Sequence, residues 1–200
     1  MFDWKEILDF WFGELDENGL PDSHHRNRWF QSNRKFDQEI RRRFFSMVLF
    51  ASEQGLDHWR KHAGGRLAEI ILLDQFTRNI YRGVGLAFEQ DKLANKLCKE
   101  AMHKGCDVAL PPIQRAFIYM PLQHSERLDD QGLSVECYGQ LVASTEGVLQ
   151  EFLKSFLHSA QDHQEIIERF GRFPHRNQAL GRPSTEAEDE YLRTAQRFGQ

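Results

Sequence analysis

The sequence predicts an all-α protein, and three observations predict it. Apolar residues recur at three- or four-residue steps in almost every segment outside the loops. No stretch alternates apolar and polar residues with period two for long enough to make a strand. The connections are short, which makes neighbouring helices mostly antiparallel. With 200 residues the chain fits one domain, residues 1–200, built as a single-domain stack of roughly eight to ten helices.

Each element follows from local signals. Asp3 caps a helix that runs to Phe12 and stops at Gly13. Residues 16–27 (DENGLPDSHHRN) read as a loop. Trp29 to Ser52 forms one or two helices ending at Gly55, with Phe36, Ile40, Phe44, Met47 and Phe50 in register. A turn from Leu56 to His62 closes at Gly64-Gly65, and a helix follows from Arg66 to Arg82, closed by Gly83. Leu86 to Lys104 is amphipathic, with Leu86, Leu93, Leu97 and Ala101 on one face. Pro111-Pro112 opens the next helix, which Pro121 kinks or ends. Leu128 to Val142 and Thr145 to Phe170 are further helices. A loop, FGRFPHRNQALGRPS, precedes a short last helix capped by Ser184 or Thr185.

Composition narrows the function classes. The hydrophobic fraction of 40% suffices for a core, and 16 Phe make that core aromatic. A net charge of −4 argues against a nucleic-acid or acidic-membrane partner. The longest apolar runs, such as Met47 to Ala51, are too short to span a bilayer, and the acidic N-terminus is not a signal peptide. Three cysteines without a close pair read as reduced thiols in a cytoplasmic protein. No HExxH, GxSxG, GxGxxG, Walker or EF-hand motif occurs, so no cofactor is expected; nine histidines leave room for a metal, but no spacing selects a ligand set and none is assigned.

The chemistry-bearing candidates are polar groups on apolar faces. The segment from Leu67 to Ile80 is apolar nearly all round, which places it in the middle of the fold. Asp74 and Arg78 interrupt its Leu67/Ile71 stripe, and Arg82 lies one turn on. Such a pair is costly to bury unless it is hydrogen-bonded. His124 extends the apolar face of Ile113, Phe117 and Met120, with Glu126 two residues on. His163 sits on the stripe of Val148, Phe152, Phe156, Ile167 and Phe170. The stretch RFGRFPHRNQALGR contributes Arg172, His175, Arg176, Asn177 and Arg182 without an acidic residue. Guanidinium groups in such a loop suit a carboxylate or phosphate.

The strings DFWFGE, FDQEIRRRF, IILLDQFTRNIYRG, QRAFIYMPLQHSE and RFGRFPHRNQALGRPST carry a resemblance. Together they resemble the uncharacterised bacterial and fungal family known as domain of unknown function 924, over residue 9 to about 192. The resemblance implies an all-α, tetratricopeptide-like fold and no established reaction. It also implies that Asp74, Arg78, His124, His163 and His175 meet at one site; Asn79, next to Arg78, is a further ligand-binding candidate.

Three functions compete, and the leading expectation is the first, a peptide- or protein-binding module, with the second as its alternative. A helical module would take a peptide or protein in its groove. An enzyme or small-molecule binder would hold an anionic ligand with Arg78, Arg172 and Arg176, and move protons at His124, His163 or His175, with Asp74 orienting one of them. A structural polar core would satisfy all of these groups among themselves. A closed, charged pocket favours the second; an open apolar groove favours the first.

Overall fold

A computed structural model of the chain describes residues 2–194; residue 1 and residues 195–200 of the expected domain lie outside the described residues. Nine helices and no strand occur among them. They are α1 (Trp4–Phe12), α2 (Ser23–Trp29), α3 (Arg34–Ser52), α4 (Ala63–Ile70, a π-helical stretch Ile71–Phe76, then Thr77–Ile80), α5 (Asp91–His103), α6 (Pro112–Gln123), α7 (Leu128–Ala143), α8 (Gly147–Phe170) and α9 (Glu186–Thr194). No helix among the described residues is long and apolar enough to cross a membrane.

The middle of the fold is α4, as its all-round apolar pattern predicts. Every residue from Gly65 to Ile80 is buried. Helices α1, α3, α5 and α6 pack around it, and α6, α7 and α8 follow as a layered run. Burial of such a helix on all sides removes its apolar surface from water and supplies most of its stability. Aromatic rings join the layers. Phe117 of α6 meets Trp11, Phe12, Trp29 and Phe156 at centroid distances of 5.8, 5.2, 4.7 and 5.9 Å. Phe10 of α1 likewise meets Phe36, Phe44 and Phe76.

Several local signals act as expected. Asp3 accepts from the Lys5 amide at 3.0 Å and caps α1. Pro112 is the first residue of α6. Thr185 and Glu188 form a reciprocal capping box, with the Thr185 amide donating to Glu188 and the Glu188 amide to Thr185 Oγ1. Cys98 and Cys137 are buried, as small hydrophobes are.

Other boundaries differ, each for a physical reason. Residues 16–27 are not all loop: Asp22 accepts from the His25 amide and starts α2, which ends at Trp29 rather than leading into α3. Gly64-Gly65 does not end the preceding turn but lies in the first turn of α4, which begins at Ala63. A Cβ on Gly65 would lie 2.2 Å from the Trp59 carbonyl oxygen, so the glycine permits α4 to cross the 3-10 turn Asp57–Lys61. Leu86 belongs to a separate 3-10 turn, Gly85–Phe88, and is half exposed instead of sharing the buried face of α5. Val148 is exposed, while Leu153, Ala160 and Ile166 complete the stripe of α8. Pro121 does not end α6: the helix continues through it to Gln123, and the proline withholds only the amide that would serve the Phe117 carbonyl.

Replacing Gly65 with Ala is expected to destabilise the protein by about 1–3 kcal/mol, because the helix must move off Trp59. Gly132 lies inside α7, and a methyl group added there would meet nothing within 4 Å. Gly132→Ala is therefore expected to stabilise by about 0.5–1 kcal/mol. Urea denaturation of both variants checks the pair; equal effects would mean that the close approach at Gly65 is not tight.

Candidate functional site

Asp74 lies in the π-helical stretch of α4 and has no solvent exposure. A π turn is wide and leaves carbonyls needing donors. Thr77 Oγ1 donates to the Leu73 carbonyl, and Arg78 Nη1 to the Asp74 carbonyl, both at 2.7 Å. The Asp74 carboxylate accepts from His124 Nδ1 at 2.7 Å and from Gln75 Nε2. Arg78 Nη1 stands 3.3 Å from it. Burial alone would raise its pKa, but His124, the Arg78 charge and these hydrogen bonds outweigh burial and hold the carboxyl far below the usual range. Asp74 is ionised.

His124 reaches Asp74 because α6 ends beside it. The end of the helix is held by α7. The Gln131 side chain donates to the carbonyls of Gln123 at 2.8 Å and Ser125 at 2.6 Å. Buried Gln131 thus replaces the missing intrahelical donors. Since a carboxylate only accepts, His124 carries its proton on Nδ1, and Nε2 on the opposite edge is left as an acceptor. Burial, and then the positive charge of Arg78, lower the ring pKa despite Asp74. The ring is neutral near pH 7.

A cavity of ≈ 340 Å³ opens in front of this pair. His124, His163, His175, Arg78, Asn79, Arg82 and Arg176 line it, so seven of the expected site residues are gathered at one place. Asp74 stands behind His124. His163 Nδ1 donates to the Ser159 carbonyl at 2.7 Å. Burial, reinforced by His124, lowers His163 to about 3; burial, reinforced by Arg176, lowers His175 to about 3 as well. Positive charge from Arg78 and Arg176 therefore helps keep all three rings neutral.

Glu126, Arg172 and Asn177 do not line the cavity. Glu126 binds Arg182 through both oxygens, at 2.8 and 2.9 Å, and accepts from the Phe173 amide. Arg172 grips Glu188 at 2.6 and 2.8 Å. Asn177 bonds Ser184 and Arg182. These groups fasten the segment between α8 and α9 over the helix ends. That strap carries His175 and Arg176 to the cavity.

Other residues of the site carried no sequence signal. Asp91, in the first turn of α5, pairs with Arg78 Nη2 at 2.9 Å and with Arg176 Nη1 at 3.1 Å. Asp37 of α3 accepts from Asn79 and from two nitrogens of Arg82, each at 2.8 Å. Gln75, Gln123, Ser159 and the aromatic pair Trp29 and Phe30 complete the walls. An acidic residue in a first helical turn is ordinary, so nothing in the chain marks Asp91 or Asp37. Among the described residues, no three His, Cys, Asp or Glu side chains are grouped as metal ligands.

The comparisons with known proteins agree with the fold. A protein of unknown function from Agrobacterium tumefaciens, ATU0120, has a structure similar to this one at a TM-score of 0.81. The two are 33% identical, over 96% of this chain and 97% of the other. No curated protein matches the sequence. The pattern that defines a bacterial family of proteins of unknown function, DUF924, matches residues 7–196. With the match spanning nearly all of its length, the chain belongs to the DUF924 family.

Proposed function

We propose that the cavity is a small-molecule site for an anionic ligand at which His124, held by Asp74, transfers a proton. The observation that carries this reading is the Asp74–His124 contact of 2.7 Å at the wall of an arginine-lined cavity. A neutral imidazole with its Nδ1 proton fixed by a buried carboxylate is arranged to accept a proton at Nε2. Asp74 then faces the resulting imidazolium and stabilises it. A proton leaves an acidic O–H, N–H or C–H of the ligand for Nε2, and returns to the product from the same atom. Without such a transfer the same groups act as a binding site.

This reading is preferred to a groove for a peptide or partner protein. The charged groups converge on a bounded space of ligand size, at the lower end of the usual range for small-molecule sites. It also differs from a structural polar core, because His124 Nε2 makes no hydrogen bond among the described residues.

Nitrogen NMR of the histidine rings tests the base. His124 is expected as the neutral Nδ1–H tautomer at neutral pH, and Asp74→Asn should mix the two tautomers. A protonated ring, or an Nε2–H tautomer in the wild type, refutes the assignment. A thermal-shift screen of small carboxylates and phosphates tests the ligand; if none raises the wild-type melting temperature, the small-molecule reading fails.

Asp74→Ala is expected to cost about 3–5 kcal/mol in urea denaturation, because Arg78 stays buried with one partner fewer. A loss below about 1 kcal/mol would describe a surface pair instead.

Stability should also fall as pH drops below about 6.5. Between that value and about 3 the unfolded chain protonates at His163 and His175 while the folded chain does not. The limiting slope is about 1.4 kcal/mol per pH unit for each ring. Asp74 adds to the loss only below about pH 4, where the unfolded aspartate takes up its proton. Denaturation midpoints measured from neutral pH to about pH 5 check this; a flat profile contradicts buried neutral histidines.

A further inference from the structure

The arginines of this protein use one edge repeatedly. Arg60 presents Nε and Nη2 to Glu69 at 2.8 and 2.7 Å. Arg82 presents the same edge to Asp37, and Arg172 to Glu188. That edge matches the two oxygens of a carboxylate. Arg176 is 95% buried and stands differently: Asp91 occupies Nη1, while Nε is buried with no hydrogen-bond partner among the described residues. Nε of Arg26, Arg66 and Arg115 is also without an acceptor there, but none of these three lines the cavity. The Arg176 guanidinium is fixed in place. Phe88 and Phe173 stack on it at 4.6 and 4.5 Å, so its orientation is set before any ligand arrives.

The charge balance around it limits what can bind. Arg78 and Arg176 face Asp74 and Asp91, two charges of each sign, and Arg82 is matched by Asp37. With its histidines neutral, the cluster has no surplus positive charge. A monoanion needs one charge accommodated in a low-dielectric space, and a dianion two. The mouth of the cavity differs from its floor. Trp29 is buried, but Phe30 is 56% exposed, and its ring packs edge-on to Phe156 at 5.6 Å. An exposed ring on the wall of a polar cavity can cover the apolar part of a ligand.

From these observations we propose that the ligand is a small monocarboxylic acid with an apolar or aromatic body, its carboxylate on the Nε/Nη2 edge of Arg176 and its body against Phe30. The proposal rests on the cavity being a small-molecule site, but not on proton transfer at His124. Orphaned Nε gains its acceptor, and the carboxylate gains two parallel charge-assisted hydrogen bonds.

Calorimetric titration with five probes tests the class: benzoate, acetate, the neutral isostere benzamide, phenylphosphonate and inorganic phosphate. Benzoate is expected to bind the wild type at least about tenfold more tightly than the other four. Phe30→Ala, at a half-exposed position, should fold normally and weaken benzoate several-fold while leaving acetate unchanged. Arg176→Gln should abolish benzoate binding. Because that variant also removes a buried charge, the Arg176 Nε–H resonance of the wild type supplies a second reading independent of the variant's folding, and it should move on addition of benzoate. Phosphonate or phosphate binding as tightly as benzoate overturns the monocarboxylate class and leaves the anion site standing. Benzoate binding without movement of the Nε–H signal overturns the seat at Arg176. Unchanged benzoate affinity in Phe30→Ala overturns the placement of the body. If none of the five binds, the monocarboxylate proposal is overturned; if the broader thermal-shift screen is also blank, the small-molecule reading falls with it.

Discussion

A carboxylate without solvent exposure must be surrounded by donors before the chain around it can fold, and Asp74 draws them from two helices. Its own helix provides Gln75 and Arg78, and the end of α6 provides His124. Satisfying it therefore brings α4 and α6 into one register. The widened turn at Ile71–Phe76 belongs to the same constraint. A regular α-helix would commit the carbonyls of Leu73 and Asp74 to backbone amides four residues on. Here those carbonyls also take the Thr77 hydroxyl and the Arg78 guanidinium, which pulls both side chains against the helix. Moving Asp74 would unmake the helix geometry, the His124 tautomer and the Arg78 position together.

The strap after α8 closes the site by a second, separate set of charge pairs. Glu126 holds Arg182 and the Phe173 amide, and Glu188 holds Arg172. The Arg172 contact lowers the Glu188 pKa, since the ionised form is the one that accepts. Between these clamps the chain has little freedom, so Arg176 reaches Asp91 although 85 positions separate them. The acidic and basic groups of the clamps thus position the site without entering it. The division of labour is physical: bidentate pairs at the rim are stronger and better directed than single contacts, and they leave the cavity lining to other groups.

Much of this was legible in the chain. Periodicity marked α4 as the buried centre, because an all-round apolar helix has nowhere else to go. The same argument exposed Asp74, Arg78, His124 and His163, which break apolar stripes at a cost that demands a reason. The boundaries at Asp22 and Gly65 were not legible, since an Asx cap in a polar stretch and a glycine at a helix crossing look like ordinary loop residues. Neither were Asp91, Asp37 and Gln131. Each lies in or beside a helix where a polar residue is commonplace, and its role comes from a partner 13 or more residues away in α4 or the strap, or from a neighbouring helix end. Charge alone also misplaced Arg172. A basic loop says that acidic partners are needed but not whether the protein supplies them.

What separates this cluster from a self-contained polar core is where its satisfaction stops. Asp74, Asp37 and Glu126 each receive several donors. The donors and acceptors on the cavity side are served less well: among the described residues, Arg176 Nε has no acceptor and the side-chain carbonyl oxygen of Gln123 has no donor. A buried polar group left without a partner costs roughly 1–3 kcal/mol. Other buried groups away from the cavity also lack a partner among the described residues, Nε of Arg26, Arg66 and Arg115 among them, but Arg176 Nε and the Gln123 oxygen belong to residues that line it. Native interiors tolerate such orphans rarely, and a site that completes its hydrogen bonds with a ligand is one of the circumstances in which they do. The fold, on this reading, uses its charge pairs to hold a lining whose last bonds are left for another molecule to make.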